Sequence, residues 1–183
     1  LGQSGLDPKV EKHLKIIEAE IARADKLLGD MLTFSRPFEP SAEARDVDAV
    51  VGEAVNAYEA PAGCKVDLKL GAKGAKAKLD AKAFADALKR LLDNAFAAME
   101  DKGTAKVATG TDKSGVFVSV TDSGKGVDPK IEPLMFEAFM TTKPKGLGLG
   151  LSLARKFLEG MSGSVSHDST PKGSTFRLVV PKS

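Results

Sequence analysis

The amino-acid sequence predicts an α/β sandwich, its helices segregated from a largely antiparallel sheet, preceded by one long coiled-coil-like helix. Three observations predict it. An apolar residue recurs every three or four positions from Val10 to Met31. Amphipathic helical patterns cover 47–58, 81–100 and 146–161. Short alternating segments bounded by turn residues lie between and after them, at 65–71, 76–80, 106–111, 116–122, 163–169 and 174–181. Runs of strands beside helices of this length are the pattern of a layered sandwich.

The elements follow in order. Asp7-Pro8 is a helix start, with Asp as the cap and Pro at the first helical position. Val10, Leu14, Ile17, Ile21, Ala24, Leu28 and Met31 then hold a seven-residue repeat, with charged residues between them. Pro37 and Pro40 end this helix. It is about 40 Å long at 1.5 Å per residue, so its apolar stripe calls for a second helix, and self-association through residues 10–31 is expected. Asp80 is the expected cap of the strongest helix, 81–100, and Asp112 to Gly115 the turn between two strands. Glycines 146, 148 and 150 run into a helix that stops at Gly160, and Pro171 to Gly173 joins the last two strands. The expected organisation is a helix at 1–36, a linker at 37–46 and a globular domain at 47–183.

Composition narrows the function. The 183 residues, 42% apolar and 28% charged, suit one globular domain with an appendage. No apolar run reaches the roughly 18 residues of a membrane span. The opening residues lack the apolar core of a secretory signal. Cys64 is the single cysteine, which excludes an internal disulfide and a cysteine-based zinc site and fits a reducing compartment. A net charge of +2 gives no case for nucleic acid as a partner. Two histidines cannot build a histidine-rich metal site.

Four segments carry chemistry. Asp122-Ser-Gly-Lys-Gly126 ends a hydrophobic strand, where a carboxylate can accept from an amine and glycines admit close approach; a plain turn is the competing reading. Gly146-Leu-Gly-Leu-Gly150 opens a helix, which exposes backbone N–H groups suited to a phosphate. It is neither a Walker A loop nor a dinucleotide fingerprint, and a linker is its alternative. Asn94 interrupts the apolar stretch LLDNAFAAM, and its amide oxygen suits Mg²⁺ as well as a simple structural role. Thr141 to Lys145 places two lysines on a loop between the glycine clusters, able to neutralise phosphate or simply to face water.

Taken in order, these segments resemble the ATP-binding domain of bacterial sensor histidine kinases, in the group that includes type II topoisomerases, Hsp90 chaperones and MutL. LLDNAFAAM is similar to the N box of that family, DSGKGVDP to its first glycine box, MFEAFMTTK to its F box, GLGLGLSLA to its second glycine box and GSTF to its last. The resemblance covers residues 47 to 183. It implies the Bergerat fold, a mixed and largely antiparallel sheet with helices on one face. KHLKIIEAEIARADKLLGDMLTFSRP resembles the second helix of the kinase dimerisation hairpin.

The resemblance further implies ATP and Mg²⁺ as cofactors and a set of roles. Asp122 would accept the adenine amino group, with Thr175 supporting the same edge. Gly124 and Gly126 would give room for the base, with Val127 and Ala98 as apolar walls. Asn94 would bind Mg²⁺. Backbone N–H groups from Gly148, Leu149, Gly150 and Leu151 would hold the phosphates. Residues 140–147, including Thr142, Lys143 and Gly146, would form a lid, with Lys143 nearest the γ-phosphate. Arg90 and Ala97 stand where many relatives have Asn and Lys, and Ala138 where Pro is usual. The implied activity is phosphoryl transfer from Mg·ATP to a histidine, cytoplasmic whether or not the parent protein is membrane-anchored, with a dimerisation hairpin and a response regulator as partners. Neither His13 nor His167 lies in the acceptor context, so little autophosphorylation is expected. A nucleotide-gated interaction module is the alternative. An ATP-driven clamp is disfavoured by Arg90 in place of a carboxylate, and a serine kinase of the anti-sigma type by the heptad helix.

Overall fold

The computed structural model describes residues 7–143 and 146–183. They form two compact units, divided between Pro37 and Phe38. The first is helix α1 (Pro8–Ser35). Asp7 caps it by accepting the Lys9 N–H at 2.8 Å, and Pro8 opens it, as the sequence predicts. No α1 residue is buried, and Val10, Leu14, Ile17, Ile21, Leu28 and Met31 all remain exposed.

The second unit contains β1 (Glu43–Asp46), α2 (Val47–Asn56), β2 (Cys64–Lys69), β3 (Lys76–Leu79) and α3 (Ala81–Ala98). It continues with β4 (Gly103–Asp112), β5 (Gly115–Thr121), α4 (Gly150–Gly160), β6 (Ser164–Thr170) and β7 (Gly173–Val180). A single 3-10 turn, Glu132–Leu134, lies between β5 and α4. Five strands make one sheet in the order β2-β4-β5-β7-β6, with β2 and β4 parallel and every other pair antiparallel. β1 and β3 pair separately, Glu43 opposite Leu79. The segment 37–46, expected as a linker, therefore ends in a strand. Its Phe38 ring packs on Phe157, 4.9 Å between centroids.

One face of the sheet is covered. Ala105 and Val107 of β4, Val116, Val118 and Val120 of β5, and Phe176, Leu178 and Val180 of β7 are buried, while the residues between them are more open. This is the period-two alternation of a sheet with one apolar side. Phe84, Leu88, Leu91, Leu92 and Phe96 of α3 and Leu153, Phe157 and Leu158 of α4 fill the core from the helical side. Asp80 caps α3 through Oδ1 to the Ala83 N–H at 3.0 Å, and its Oδ2 accepts from Ser41 N–H at 3.0 Å. α4 differs, because no side chain caps its first turn. Its four leading N–H groups therefore have no helical acceptor, and among the described residues no side chain caps them.

Candidate nucleotide site

The site starts where β5 ends. Val120 points into the core, so two residues on Asp122 points the same way and is only 6% exposed. Its Oδ1 accepts from the Gly124 N–H at 2.8 Å and from the Ser174 N–H at 3.3 Å. Its own N–H donates to the Ser174 carbonyl at 2.9 Å. Among the described residues no hydrogen bond uses Oδ2. A carboxylate with one oxygen pinned by two amides and the other unused is oriented to receive a donor.

The glycine loop after Asp122 is held from two sides. A Cβ at Gly124 would lie 2.6 Å from the Ala98 carbonyl oxygen, so this loop rests directly on the end of α3. Gly126 has φ of +71°, and a Cβ there would collide with the Thr170 carbonyl on β6. The Val127 N–H donates to Ser169 Oγ at 2.9 Å, and Ser169 Oγ lies 3.2 Å from Ser174 Oγ. These glycines thus answer first to the protein's own backbone, not only to a ligand.

Thr175, expected to support the adenine edge, lies on the face opposite Asp122. Ser174 and Phe176 are buried on the inner face, so Thr175 between them projects to the outer one. There its Oγ1 pairs with Thr121 Oγ1 at 2.9 Å. Ser174 is the residue that meets Asp122, through its backbone N–H and carbonyl. A shift of one residue along a strand reverses the face, and the string GSTF does not reveal which hydroxyl points inward. Ser169 was not singled out by the sequence either; a serine in an alternating strand carries no signal.

From Ala98 the site runs one turn back along α3 to Asn94, on the same helix face. Asn94 is half-buried, and its Oδ1 accepts from Lys143 Nζ at 2.7 Å. Arg90, a further turn back, is 12% exposed and pairs through Nε with Asp86 at 3.0 Å. It therefore meets a carboxylate. Lys143 belongs to a loop tied at its base, where the Phe139 N–H donates to the Gly148 carbonyl at 3.1 Å. Gly148 has φ of +73°, and a Cβ on it would come within 2.5 Å of the Phe139 backbone. Within the loop the Lys143 N–H donates to Thr141 Oγ1 at 3.0 Å. Thr142 and Gly146 are exposed; positions 144 and 145 of the expected lid lie outside the described residues.

The loop leads into α4, which begins at Gly150 rather than Gly146. Leu149 sits at the cap position and is buried, with its carbonyl accepting from Ser152 Oγ at 3.1 Å. Nothing lies within 4 Å of where a Cβ on Gly150 would be, and Leu151 is half-buried. An uncapped helix start beside open space suits an anion. The described residues hold no group of three or more His, Cys, Asp or Glu side chains fit for a metal. A cation here would have Asn94 as its protein ligand and draw its other oxygens from phosphate and water, a donor set that Mg²⁺ accepts. His167 is no candidate for surface chemistry: its side chain is 3% exposed, packed on Phe176 with Nδ1 3.3 Å from Glu132.

Comparison with known proteins gives the family. Residues 79–183 match the family described as histidine kinase-, DNA gyrase B-, and HSP90-like ATPases. The chain is 29% identical over 186 residues to the signal transduction histidine-protein kinase AtoS of Escherichia coli strain K12, covering 99% of this chain and 31% of that protein. It is 30% identical over 190 residues to the sensor histidine kinase MtrB of Mycobacterium tuberculosis strain ATCC 25618 / H37Rv, covering 96% of this chain and 33% of that one. It spans about a third of the length of these curated relatives. Among solved structures, full-length ShkA in complex with AMPPNP superposes with a TM-score of 0.82 at 21% identity, over 98% of this chain and 40% of that chain. The catalytic domain of the histidine kinase ThkA gives 0.69 at 23% identity, over 78% of this chain and 96% of that chain. The chain belongs to the histidine kinase-, DNA gyrase B- and HSP90-like ATPase family.

Proposed function

We propose that this domain binds Mg·ATP and presents the γ-phosphoryl group to a histidine on a dimerisation hairpin, of which α1 is the second helix. The observation that carries the reading is the state of Asp122. Oδ1 is fixed by two backbone amides and Oδ2 is left to accept the amino group of adenine. Val127 and Ala98 would serve as apolar walls for the base. From there the α3 face leads to Asn94, and the lid leads to the uncapped start of α4, so base, metal and phosphates each meet a suited group. The AMPPNP complex of the structural neighbour ShkA is in line with this.

The residues divide the work. Asp122 reads the purine. The N–H groups at the start of α4 hold phosphate oxygens and favour their charge. Asn94 would hold Mg²⁺, which supplies charge neutralisation to the phosphates when bound. The lid keeps water from the transferred group. Catalysis of this kind is positioning and electrostatics, with the nucleophile supplied by the acceptor. His13 lies on α1 outside an acceptor motif and His167 is enclosed, so the acceptor belongs to another segment or chain. The exposed stripe of α1 is the surface through which the chain self-associates or pairs with its hairpin partner. A response regulator would then take the phosphoryl group, in the cytoplasm. For its own part, no helix among the described residues is long and apolar enough to cross a membrane.

Calorimetric titration with Mg·ATP tests the reading, beside incubation with γ-labelled ATP. The wild-type chain should bind, and Asn94→Ala should weaken Mg·ATP about tenfold or more, the loss expected for one metal ligand, while adenosine binding stays within about twofold. The chain alone should acquire no acid-labile label. Label on His13 or His167, or equal Mg·ATP affinity in Asn94→Ala, would contradict it.

A further inference from the structure

The contact between Lys143 and Asn94 joins two parts of the site that the reading above treats separately. The ammonium donates to the one protein oxygen assigned to the metal, at 2.7 Å. These residues are 49 positions apart, and no element of secondary structure forces them together. What brings them together is the loop. Its base is cinched by Phe139 N–H to Gly148 carbonyl, and its tip is turned by Thr141 Oγ1 to Lys143 N–H and by Gly146 N–H to the Lys143 carbonyl at 3.1 Å. The neighbouring charges on α3 are engaged elsewhere. Arg90 pairs with Asp86, while Asp93 accepts from Tyr58 and Lys89. Lys143 is thus the cation that the described part of the lid delivers to Asn94.

A hard amide oxygen serves an ammonium or a small divalent cation about equally in kind, since both are strongly hydrated point charges that seek oxygen. Two such cations at one oxygen repel each other at close range in a partly desolvated site. Occupation is therefore competitive.

We propose that Lys143 is the resident cation of the nucleotide site: its ammonium holds the Asn94 oxygen when no divalent metal is bound, and Mg²⁺ takes that oxygen only by displacing it. Two consequences follow. The ammonium gives the phosphates a positive partner without metal, so the chain binds a nucleoside diphosphate in the absence of Mg²⁺. Metal entry also breaks a tie between lid and α3, which releases the loop tip and frees Lys143 for the γ-phosphate of ATP, a group that ADP lacks. The inference rests on the reading that Asn94 faces bound phosphates.

The experiment is calorimetric titration of ADP into the wild-type chain and Lys143→Met, each in EDTA and in saturating Mg²⁺, followed by a Mg²⁺ series. Lys143→Met should lose about tenfold in ADP affinity in EDTA and no more than about twofold in Mg²⁺, the loss of one charge-assisted contact in one state only. The Mg²⁺ concentration giving half of the full effect should fall several-fold in Lys143→Met, because its competitor is gone. Far-UV circular dichroism checks that the variant is folded. An equal loss in EDTA and in Mg²⁺, or an unchanged Mg²⁺ midpoint, would overturn the exchange and leave Lys143 a simple phosphate contact. Adenosine titrated into the wild-type chain separates the two levels: failure to bind it would overturn the nucleotide reading itself, and the inference with it.

Discussion

At the scale of single residues, the site depends on how few groups fix Asp122 and its loop. Two backbone N–H groups settle which carboxylate oxygen is spoken for. Ser169 Oγ receives the Val127 N–H and lies against Ser174 Oγ, so β6 acts as a post for the glycine loop. Gly126 is the position with least tolerance. Its φ of +71° is costly for any residue with a Cβ, and the Cβ would run into the Thr170 carbonyl. Gly126→Ala should destabilise the domain by about 1–3 kcal/mol and weaken adenosine binding, as strain of this kind usually does. Denaturant melting and calorimetry check both, and wild-type values for both would contradict the assigned role. The place of Asp122 at the end of a hydrophobic strand was legible in the sequence. The inward hydroxyl was not, because Ser174 and Thr175 differ by one step in a strand. Nor was the bond from Lys143 to Asn94, which depends on how a loop folds back over a helix.

At the scale of elements, the caps and periods were the most legible features. Asp7 and Asp80, the two caps read from the sequence, each accept from the helix that follows, and Asp46 does the same for α2 without having been singled out. α3 shows its apolar face in residues spaced three and four apart, and buries it. β1 was not legible, since Glu-Ala-Arg-Asp has no alternation and forms a strand only because β3 offers an edge. The contact that Tyr58, just past the end of α2, makes with α3 yields a prediction. The Tyr58 Oη donates to Asp93 at 3.0 Å, and its ring stacks on Phe96 with centroids 6.0 Å apart. Burial, and then the Asp93 charge, push the phenol well above its ordinary value of 10.0. A raised value means that the folded state resists ionisation. The contribution to stability is whole below pH 10 and is lost as pH climbs through the raised value. Tyr58 is the one tyrosine and the chain has no tryptophan, so the tyrosinate absorbance reports it alone. Its midpoint should lie above 10.0, and Tyr58→Phe should flatten the alkaline loss of stability. A midpoint at or below that value would contradict the contact.

At the scale of the whole molecule, the sheet and helices matter because they bring distant segments to one edge. β5 ends at Asp122, the β6–β7 hairpin braces it, α3 passes beneath the loop from Ala98 to Asn94, and α4 starts at the far side of the lid. Asp122 and the uncapped start of α4 are thus brought to one edge, with the glycine loop, α3 and the lid between them. Helix α1 leaves its apolar stripe uncovered, the surface proposed above for pairing with another helix. The most direct test concerns Asp122. Because two N–H donors hold Oδ1, Asp122→Asn should keep its carbonyl there and place its amide nitrogen where Oδ2 was, facing the adenine amine with a donor instead of an acceptor. Titration of adenosine and ATP into both proteins should show the variant weakened about tenfold or more for each, the cost of opposing donors in a desolvated pocket. Unchanged affinity for adenosine in a folded Asp122→Asn protein would contradict the account.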